Sequence, residues 1–333
     1  MSSDKTPDEH LISKKVNFDI HQSNTQSVLD ILKKNDFTYS AEIIPPRNGT
    51  DFMEVFSAIS DLTTGGFDFL SVTHGAGGSL RGGTLPIAYQ AQDVYKMTSI
   101  AHLTCRGQTR EDLENSLVDH HYFGIHNILA LRGDPPDGIH EKFIKPEGGF
   151  EYAYELVDLI ARMNRGEYIK RKGYDNGSDF RSGMKTRFCI GVAAYPEDPD
   201  GKDIEYLKIK KERGAEFCIT QIVFNTELFF SFYDKVTRLW GDTFPVLPGI
   251  RIPTSWKQLS RMHEKFGISV DKELYENMEK SQNSANPEEA MRQVGMQWGV
   301  NFIEKLKAAG VPGVHIFIMS DPGTAVSVRS NQI

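Results

Sequence analysis

The chain has 333 residues, a net charge of −7, and 39% apolar residues. This is the composition of an ordinary globular protein, and the length allows one large domain or two smaller ones. No dense run of lysine and arginine occurs, which argues against nucleic acid as a partner. The sequence also lacks an apolar stretch long enough to predict a membrane-spanning helix.

Residues 1 to about 27 are polar and predict a loose arm, followed by a folded domain over residues 28–333. The arm lacks the apolar segment that is typical of a secretion signal. None of the three cysteines forms a C-x-x-C pair, and each lies in or beside an apolar run: Cys105, Cys189 and Cys218. We therefore expect reduced cysteines packed in the core of a cytoplasmic protein.

Short apolar runs alternate with longer amphipathic stretches along the domain. Eight runs rich in Ile, Val and Phe predict buried parallel strands, at residues 39–44, 69–73, 99–103, 127–131, 188–193, 217–221, 244–247 and 314–318. Eight strands alternating with helices favour an α/β fold of the closed (β/α)8 type, a TIM barrel, over an open doubly wound sheet. The absence of a G-x-G-x-x-G pattern after the first strand also argues against a Rossmann fold.

The stretches between the strands carry helix signals. Thr109 begins a capping-box pattern, residues 205–213 end at Gly214, and residues 287–309 end at Gly310. Two segments interrupt the repeat. Residues 164–186 are polar and glycine-rich, and they predict an exposed, mobile insertion before the fifth strand that builds no core. Residues 268–290 predict an extra helical excursion, and the final helix is expected to be short or absent.

Polar residues and glycines follow nearly every predicted strand. The carboxyl ends of barrel strands converge on one open face, where the active sites of such barrels lie. This pattern makes a set of residues candidates for one site: Glu42, Thr73, His74, His102, Arg132, Gly133, Asp134, Tyr195 and Gln221. Their joint placement carries more weight than any one of them.

Glu42 is the sharpest candidate because it lies inside an apolar strand. Burial of a carboxyl group raises its pKa and suits it to general acid catalysis near neutral pH. The alternatives are an exposed strand or a structural ion pair with Arg47 or Arg132. The sequence leaves both readings open.

The other candidates also have structural alternatives. Gly133 and Asp134 are compatible with a tight turn, His102 with a hydrogen-bonded core histidine, and Gln221 with a cap on the barrel interior. The glycine-rich residues 75–83 lack the phosphate-loop pattern, and they indicate equally a mobile loop or a close-approach surface for a planar ligand. No metal-binding pattern occurs, so no metal site is predicted.

Seven motifs in order resemble those of the methylenetetrahydrofolate reductase family. They run from about residue 38 to 320: AEIIPPR at 41–47, SVTHGA at 71–76, HLTC at 102–105, ALRGD at 130–134, AAYPE at 193–197, ITQ at 219–221, and PGI at 248–250 with Lys257 and Gln258 behind it. The resemblance implies a (β/α)8 barrel that binds FAD. It also implies reduction of 5,10-methylenetetrahydrofolate to 5-methyltetrahydrofolate with NADH or NADPH.

The resemblance also implies residue roles. Glu42 would be the general acid that helps to open the five-membered ring of the folate to an iminium, and Asp134 would lie near the pyrimidine end of the flavin and the folate pterin. The substrate contacts would be Glu42, Asp134, Gln221, Gln258 and Met262. The cofactor contacts would be Thr73, His74, Ala76, His102, Arg132, Gly133, Asp134, Tyr195, Asp203 and Lys210.

Several positions depart from the family pattern. Tyr206 and Ile209 stand where family members carry the Asn and Arg that reach FAD, and Met262 stands in place of a Phe. The loop after Glu197 is shorter and has no histidine. Two alternatives follow: a flavin-independent folate reductase of the same fold, or a partner-dependent, non-catalytic folate-binding subunit. Oligomeric state, homo-oligomer included, is left open.

Overall fold

A computed structural model describes residues 26–75, 79, 81–135, 142–170, 179–198, 201–319 and 321–331. Within them, the strands are β1 Thr38–Ile43, β2 Phe69–Val72, β3 Thr98–Thr104, β4 Asn127–Leu131, β5 Glu167–Ile169, β6 Phe180–Ser182, β7 Cys189–Ala194, β8 Phe217–Ile222, β9 Val246–Ile250 and β10 Gly313–Met319. The helices are α1 Val28–Lys34, α2 Met53–Thr64, α3 Thr84–Asp93, α4 Arg110–Tyr122, α5 Ala153–Arg165, α6 Asp203–Arg213, α7 Thr226–Trp240, α8 Trp256–Phe266, α9 Lys272–Ser281, α10 Pro287–Ala308 and α11 Pro322–Ser330.

Eight of these strands close a barrel in the order β1-β10-β9-β8-β7-β4-β3-β2, and each neighbouring pair is parallel. The predicted (β/α)8 barrel is therefore confirmed. The predicted helix signals are confirmed as well: Thr109 makes a capping box at α4, and Gly214 ends α6 in the left-handed region with φ of 120°. The last helix, α11, has 9 residues and is short, as expected.

Helix α1 closes the amino-terminal end of the barrel. Its residues Val28, Ile31 and Leu32 are buried against interior side chains that include Phe69 and Phe217. The backbone N–H of Val28 donates to Oδ1 of Asn127, the first residue of β4, at 2.9 Å. The amino-terminal end of the barrel interior is thus closed by α1, and the carboxyl ends of the strands are left to form a site. The predicted polar arm, residues 1–27, lies almost entirely outside the described residues.

The insertion before the fifth barrel strand forms a hairpin, β5–β6, in its described part. Tyr168 is only 8% exposed and packs in the main core, and its hydroxyl donates to the Met184 carbonyl at 2.7 Å. The backbone N–H of Ile169 donates to Glu114 on α4. The prediction that this segment builds no core is therefore wrong for Tyr168, because one aromatic residue anchors an otherwise polar hairpin. Residues 171–178 lie outside the described part.

Gly191 in β7 leaves room for the ring of Phe217, its register partner on the neighbouring strand β8. A Cβ atom at this position would lie 2.4 Å from Cζ of Phe217 and 3.0 Å from Cδ1 of Leu129. We expect Gly191→Ala to lower the free energy of unfolding by about 1–3 kcal/mol, because it overpacks the interior. Urea denaturation measures the change.

Two further variants make the comparison specific. Adding Phe217→Leu to Gly191→Ala should restore part of the lost stability, because a smaller side chain clears the space. Gly82→Ala is the matched control, since the nearest atom to its added Cβ is 3.8 Å away. Equal losses from Gly191→Ala and Gly82→Ala would contradict the packing argument.

Candidate active site

Glu42 lies near the carboxyl end of β1, with Ser71 of β2 on one side and Phe317 of β10 on the other. It is 9% exposed, so the strand is not a surface strand. Among the described residues, no ion pair joins Glu42 to Arg47 or Arg132. His102 is close by, with its Nε2 3.8 Å from Glu42 Oε2.

Burial, and next the negative charge of Asp134, raise the pKa of Glu42 to about 8. Burial, together with His315 and His74, lowers the pKa of His102 to about 3. At pH 7 Glu42 therefore keeps its proton and His102 is neutral. The 3.8 Å separation is consequently not an ion pair, and it is too long for a hydrogen bond. The site holds a neutral carboxylic acid, which is what a general acid requires.

A polar layer lies directly beneath Glu42 inside the barrel. His315 of β10 is fully buried; Ser40 Oγ lies 2.8 Å from its Nδ1, and Ser71 Oγ lies 3.1 Å from its Nε2. Burial lowers the pKa of His315 to about 3, so the ring is neutral. Both ring nitrogens are satisfied by these serines, which fixes the floor of the site.

Two polar atoms of the site are buried without a hydrogen-bond partner among the described residues: Thr73 Oγ1 and His102 Nε2. Thr73 follows β2, and its backbone N–H donates to Ile43 O at 3.0 Å, which holds it next to the end of β1. Buried polar groups in proteins are almost always paired. Two such atoms beside Glu42 therefore indicate a ligand-binding position.

The loop after β4 needs its glycine. Gly133 has φ of 86°, and a Cβ there would lie 3.0 Å from Arg106 Cβ and 3.1 Å from Thr104 Cβ. The loop leaves Asp134 half-buried, and its charge acts on both Glu42 and Tyr195. Arg132 is exposed, with its guanidinium carbon 5.2 Å from the ring centre of Phe143. The tight loop at Gly133 thus holds Asp134 where its charge acts on Glu42.

Tyr195 follows β7 and is 46% exposed, at the rim. Its backbone N–H donates to Asp203, the first residue of α6. Lys210 of the same helix is buried and donates to the Ala193 carbonyl at 2.7 Å. Asp203 and Lys210, both predicted to contact a cofactor, are thus engaged with the end of β7 in this structure.

The predicted substrate residues are spread around the rim. Gln221 is exposed at the end of β8, and its Oε1 accepts from the N–H of Ile222. Gln258 in α8 accepts from Thr254. Gln258 and Phe317, the β10 neighbour of Glu42, line a cavity of about 30 Å³.

Three further predicted residues complete the set. Met262 is half-buried and packs against the cluster formed by α8, α9 and α10. His74 is half-buried, and burial followed by the charge of Arg106 lowers its pKa. Ala76 lies outside the described residues.

Three residues at the barrel mouth or inside it were not predicted from the sequence. Arg106 follows β3 and acts on His74, while Arg251 follows β9 and lines the cavity beside Gln258. Arg251 comes immediately after β9, and Arg106 comes two residues after β3. Their positions after strand ends could therefore have indicated them from the sequence. His315 had no such signal, because its role depends on the two serines of other strands.

Other kinds of site find no support in the described part of the chain. No group of three or more His, Cys, Asp or Glu residues there is arranged to hold a metal ion. Among the helices described, none is both long and apolar enough to cross a membrane. The three cysteines are buried and make no disulfide, as predicted.

The raised pKa of Glu42 predicts a pH dependence of stability. The unfolded chain loses this proton near the ordinary value of 4.5, whereas the folded chain holds it to about 8. The contribution of Glu42 to the free energy of unfolding therefore falls as pH rises from about 4.5 to about 8. Glu42→Gln removes this contribution and its pH dependence. Relative to wild type, the variant should gain on the order of a few kcal/mol between pH 5 and pH 8 in urea denaturation. A difference that does not change with pH would contradict the assignment.

Comparisons with known proteins identify similar sequences over nearly all of the described chain. The family model for methylenetetrahydrofolate reductase matches residues 27–331. Methylenetetrahydrofolate reductase (NADH) 1 of Zea mays is 29% identical over 320 residues, which is 92% of this chain and 50% of the maize protein. The 5,10-methylenetetrahydrofolate reductase of Salmonella typhimurium is 27% identical, over 89% of this chain and 90% of its own length. The chain thus spans about half the length of the plant relative but nearly all of the bacterial one.

A solved structure supports the fold. An uncharacterized protein from Clostridium thermocellum, described as binding two copies of 5-methyl-5,6,7,8-tetrahydrofolic acid, aligns with a TM-score of 0.55 at 14% identity. The alignment covers 91% of this chain and 98% of that one. At this identity the likeness shows the fold alone. The family model, by contrast, covers nearly all of the barrel, and the chain therefore belongs to the methylenetetrahydrofolate reductase family.

Proposed function

We propose that this protein reduces 5,10-methylenetetrahydrofolate to 5-methyltetrahydrofolate with NADH or NADPH, through bound FAD. Family membership and the names of its relatives support the reaction. One structural observation carries the proposal: a buried carboxylic acid, Glu42, keeps its proton at neutral pH at the carboxyl end of the barrel.

The site residues fit a flavin. Thr73 Oγ1 and His102 Nε2 are buried polar atoms that need partners, and a flavin ring offers both donors and acceptors. Gly133 lets the loop pack against Arg106 and Thr104, while Arg132 and Tyr195 stand exposed at the rim. FAD, when bound, supplies the hydride transfer, and the protein binds and orients the reactants.

The side chains of the protein supply the proton and contact the substrate. Glu42 holds a proton and delivers it to a nitrogen of the folate, which favours opening of the five-membered ring. Asp134 helps to keep that proton in place, because its negative charge disfavours ionisation of Glu42. Gln221 and Gln258 are the proposed contacts to the substrate.

A second candidate is direct hydride transfer from the nicotinamide to the folate without flavin. The observation that favours it lies on α6. Asp203 and Lys210 are already bonded to the end of β7, and the ring of Tyr206 stacks on that of Tyr152 with centres 5.8 Å apart. Lys210 and Tyr206 thus make contacts within the protein at positions where the family resemblance places FAD contacts. Asp203 does so only in part, because its Oδ2 is buried without a partner among the described residues.

One experiment separates the two candidates. The absorption spectrum of the purified protein is recorded, and oxidation of NADH and NADPH is then followed with and without methylenetetrahydrofolate. Flavin absorbance together with folate-dependent oxidation is the expected result. A colourless protein with the same activity supports direct transfer. Absence of folate-dependent oxidation with either nucleotide, after reconstitution with FAD, would contradict both.

A further inference from the structure

A second cavity lies at the other end of β1 from Glu42, outside the barrel wall. It measures about 500 Å³, is open to solvent, and is lined by residues from the end of α1, the start of β1, and the last turns of α10 and α11. A volume of this size is within the usual range for small-molecule sites, roughly 300–1,000 Å³. Nothing in the proposed reaction uses it.

The lining of this cavity is mainly cationic. Lys34, Lys307 and Arg329 line it, against one carboxylate, Asp36. A second carboxylate nearby, Asp68, accepts from Asn35 Nδ2 and from the backbone N–H of Tyr39, each at 2.8 Å, and it also interacts electrostatically with Arg329. Lys307 also lies 3.6 Å from Glu304, a partly exposed pair that contributes little. Three cations and one carboxylate line the cavity itself, so its lining favours an anion.

Two polar atoms of the cavity lining are buried without a partner among the described residues. They are the hydroxyl of Tyr39, a residue that is 8% exposed, and Nε of Arg329. Leaving such groups unpaired is unfavourable, because they have lost water without gaining a protein partner. Both are able to donate a hydrogen bond, so a ligand that accepts hydrogen bonds would satisfy them.

Aromatic rings complete the lining. The guanidinium carbon of Arg329 lies 5.2 Å from the ring centre of Tyr39, and Nζ of Lys307 lies 5.6 Å from that of Phe37. The cations are thus held against ring faces. Phe37 is half-buried at the cavity and offers an apolar surface.

We propose that this cavity binds a small planar organic anion, an aromatic ring that carries a carboxylate or a phosphate. The acid group pairs with Lys307 and Arg329 and accepts from the Tyr39 hydroxyl, and the ring packs on Phe37. The inference does not depend on the proposed reductase activity, because it rests on residues at the opposite end of the barrel.

Isothermal titration calorimetry on the full chain tests it with two probes, phenyl phosphate and benzoate. At least one should bind with 1:1 stoichiometry, and the tighter one identifies the acid group. Inorganic phosphate and phenol each lack half of the proposed ligand, and they should bind at least about tenfold more weakly, which corresponds to 1.4 kcal/mol.

Variants locate the binding. Lys307→Gln, at a partly exposed side chain, should weaken the tighter probe by about tenfold. Tyr39→Phe removes only the hydroxyl and should weaken it severalfold. Lys272→Gln, at a side chain that is 89% exposed on α9, is the matched control and should change nothing. The proposal is overturned if neither probe binds, if phosphate or phenol binds equally well, or if Lys307→Gln and Tyr39→Phe both bind like wild type.

Discussion

Replacement of Glu42 by glutamine is expected to slow reduction of methylenetetrahydrofolate by about 10²–10⁴-fold, the usual contribution of a general acid. The amide keeps the shape of the side chain but has no proton to give. Oxidation of NADH or NADPH with an artificial electron acceptor should stay near the wild-type rate, because that step needs no proton on the folate. Steady-state assays of the two reactions, side by side, measure the effect.

The matched control is Glu54→Gln, an exposed carboxylate in the first turn of α2. It should leave both reactions unchanged. Equal loss of both reactions in Glu42→Gln would mean that Glu42 positions the ligands or supports the fold. Unchanged folate reduction would rule out the acid role.

Phe217→Ala is expected to lower the free energy of unfolding by about 3–5 kcal/mol, the typical cost of removing a buried phenylalanine. Phe217 is fully buried in the barrel interior, packed with α1 and facing Gly191. The small residue opposite it cannot fill the space that the ring leaves. Urea denaturation monitored by circular dichroism gives the difference from wild type.

Phe52→Ala provides the comparison, because Phe52 precedes α2 and is 53% exposed. Its loss should stay well below that of Phe217→Ala. If the two variants lost equal amounts of stability, the interior cluster closed by α1 would contribute no more to the free energy of unfolding than an exposed side chain does.

The strands could be predicted because each is a short, buried run that differs sharply from its flanks. Seven of the eight predicted barrel strands agree with the structure to within one residue at each end. The exception is β9, which was predicted over residues 244–247 but runs from Val246 to Ile250. Pro248 and Gly249 are residues that usually end a strand, and here they lie inside one. Gly249 belongs in the strand because its N–H donates to Thr220 Oγ1 at 2.9 Å, and a Cβ there would meet Phe317.

The site was less predictable than the fold. Strand ends indicated Glu42, His102 and Asp134 as a group. The structure places His102 Nε2 3.8 Å from Glu42 Oε2 and brings Asp134 close enough for its charge to act on Glu42. The hydrogen bonds of His315 join strands that are far apart in sequence, so no local pattern contains them. Local patterns also do not show the contacts of α6. Asp203 and Lys210 were predicted to contact a cofactor, but in the structure they bond to residues at the end of β7.

The pH dependence of kcat/KM for methylenetetrahydrofolate tests the central claim, that a protonated Glu42 drives folate reduction. The rate constant should be level through neutral pH and fall above an apparent pKa of about 8, the pKa to which burial and Asp134 raise Glu42. Glu42→Gln should remove this fall along with most of the activity. A wild-type rate that rises as pH increases through 8, or that falls with the ordinary pKa of a carboxyl group, would contradict the account.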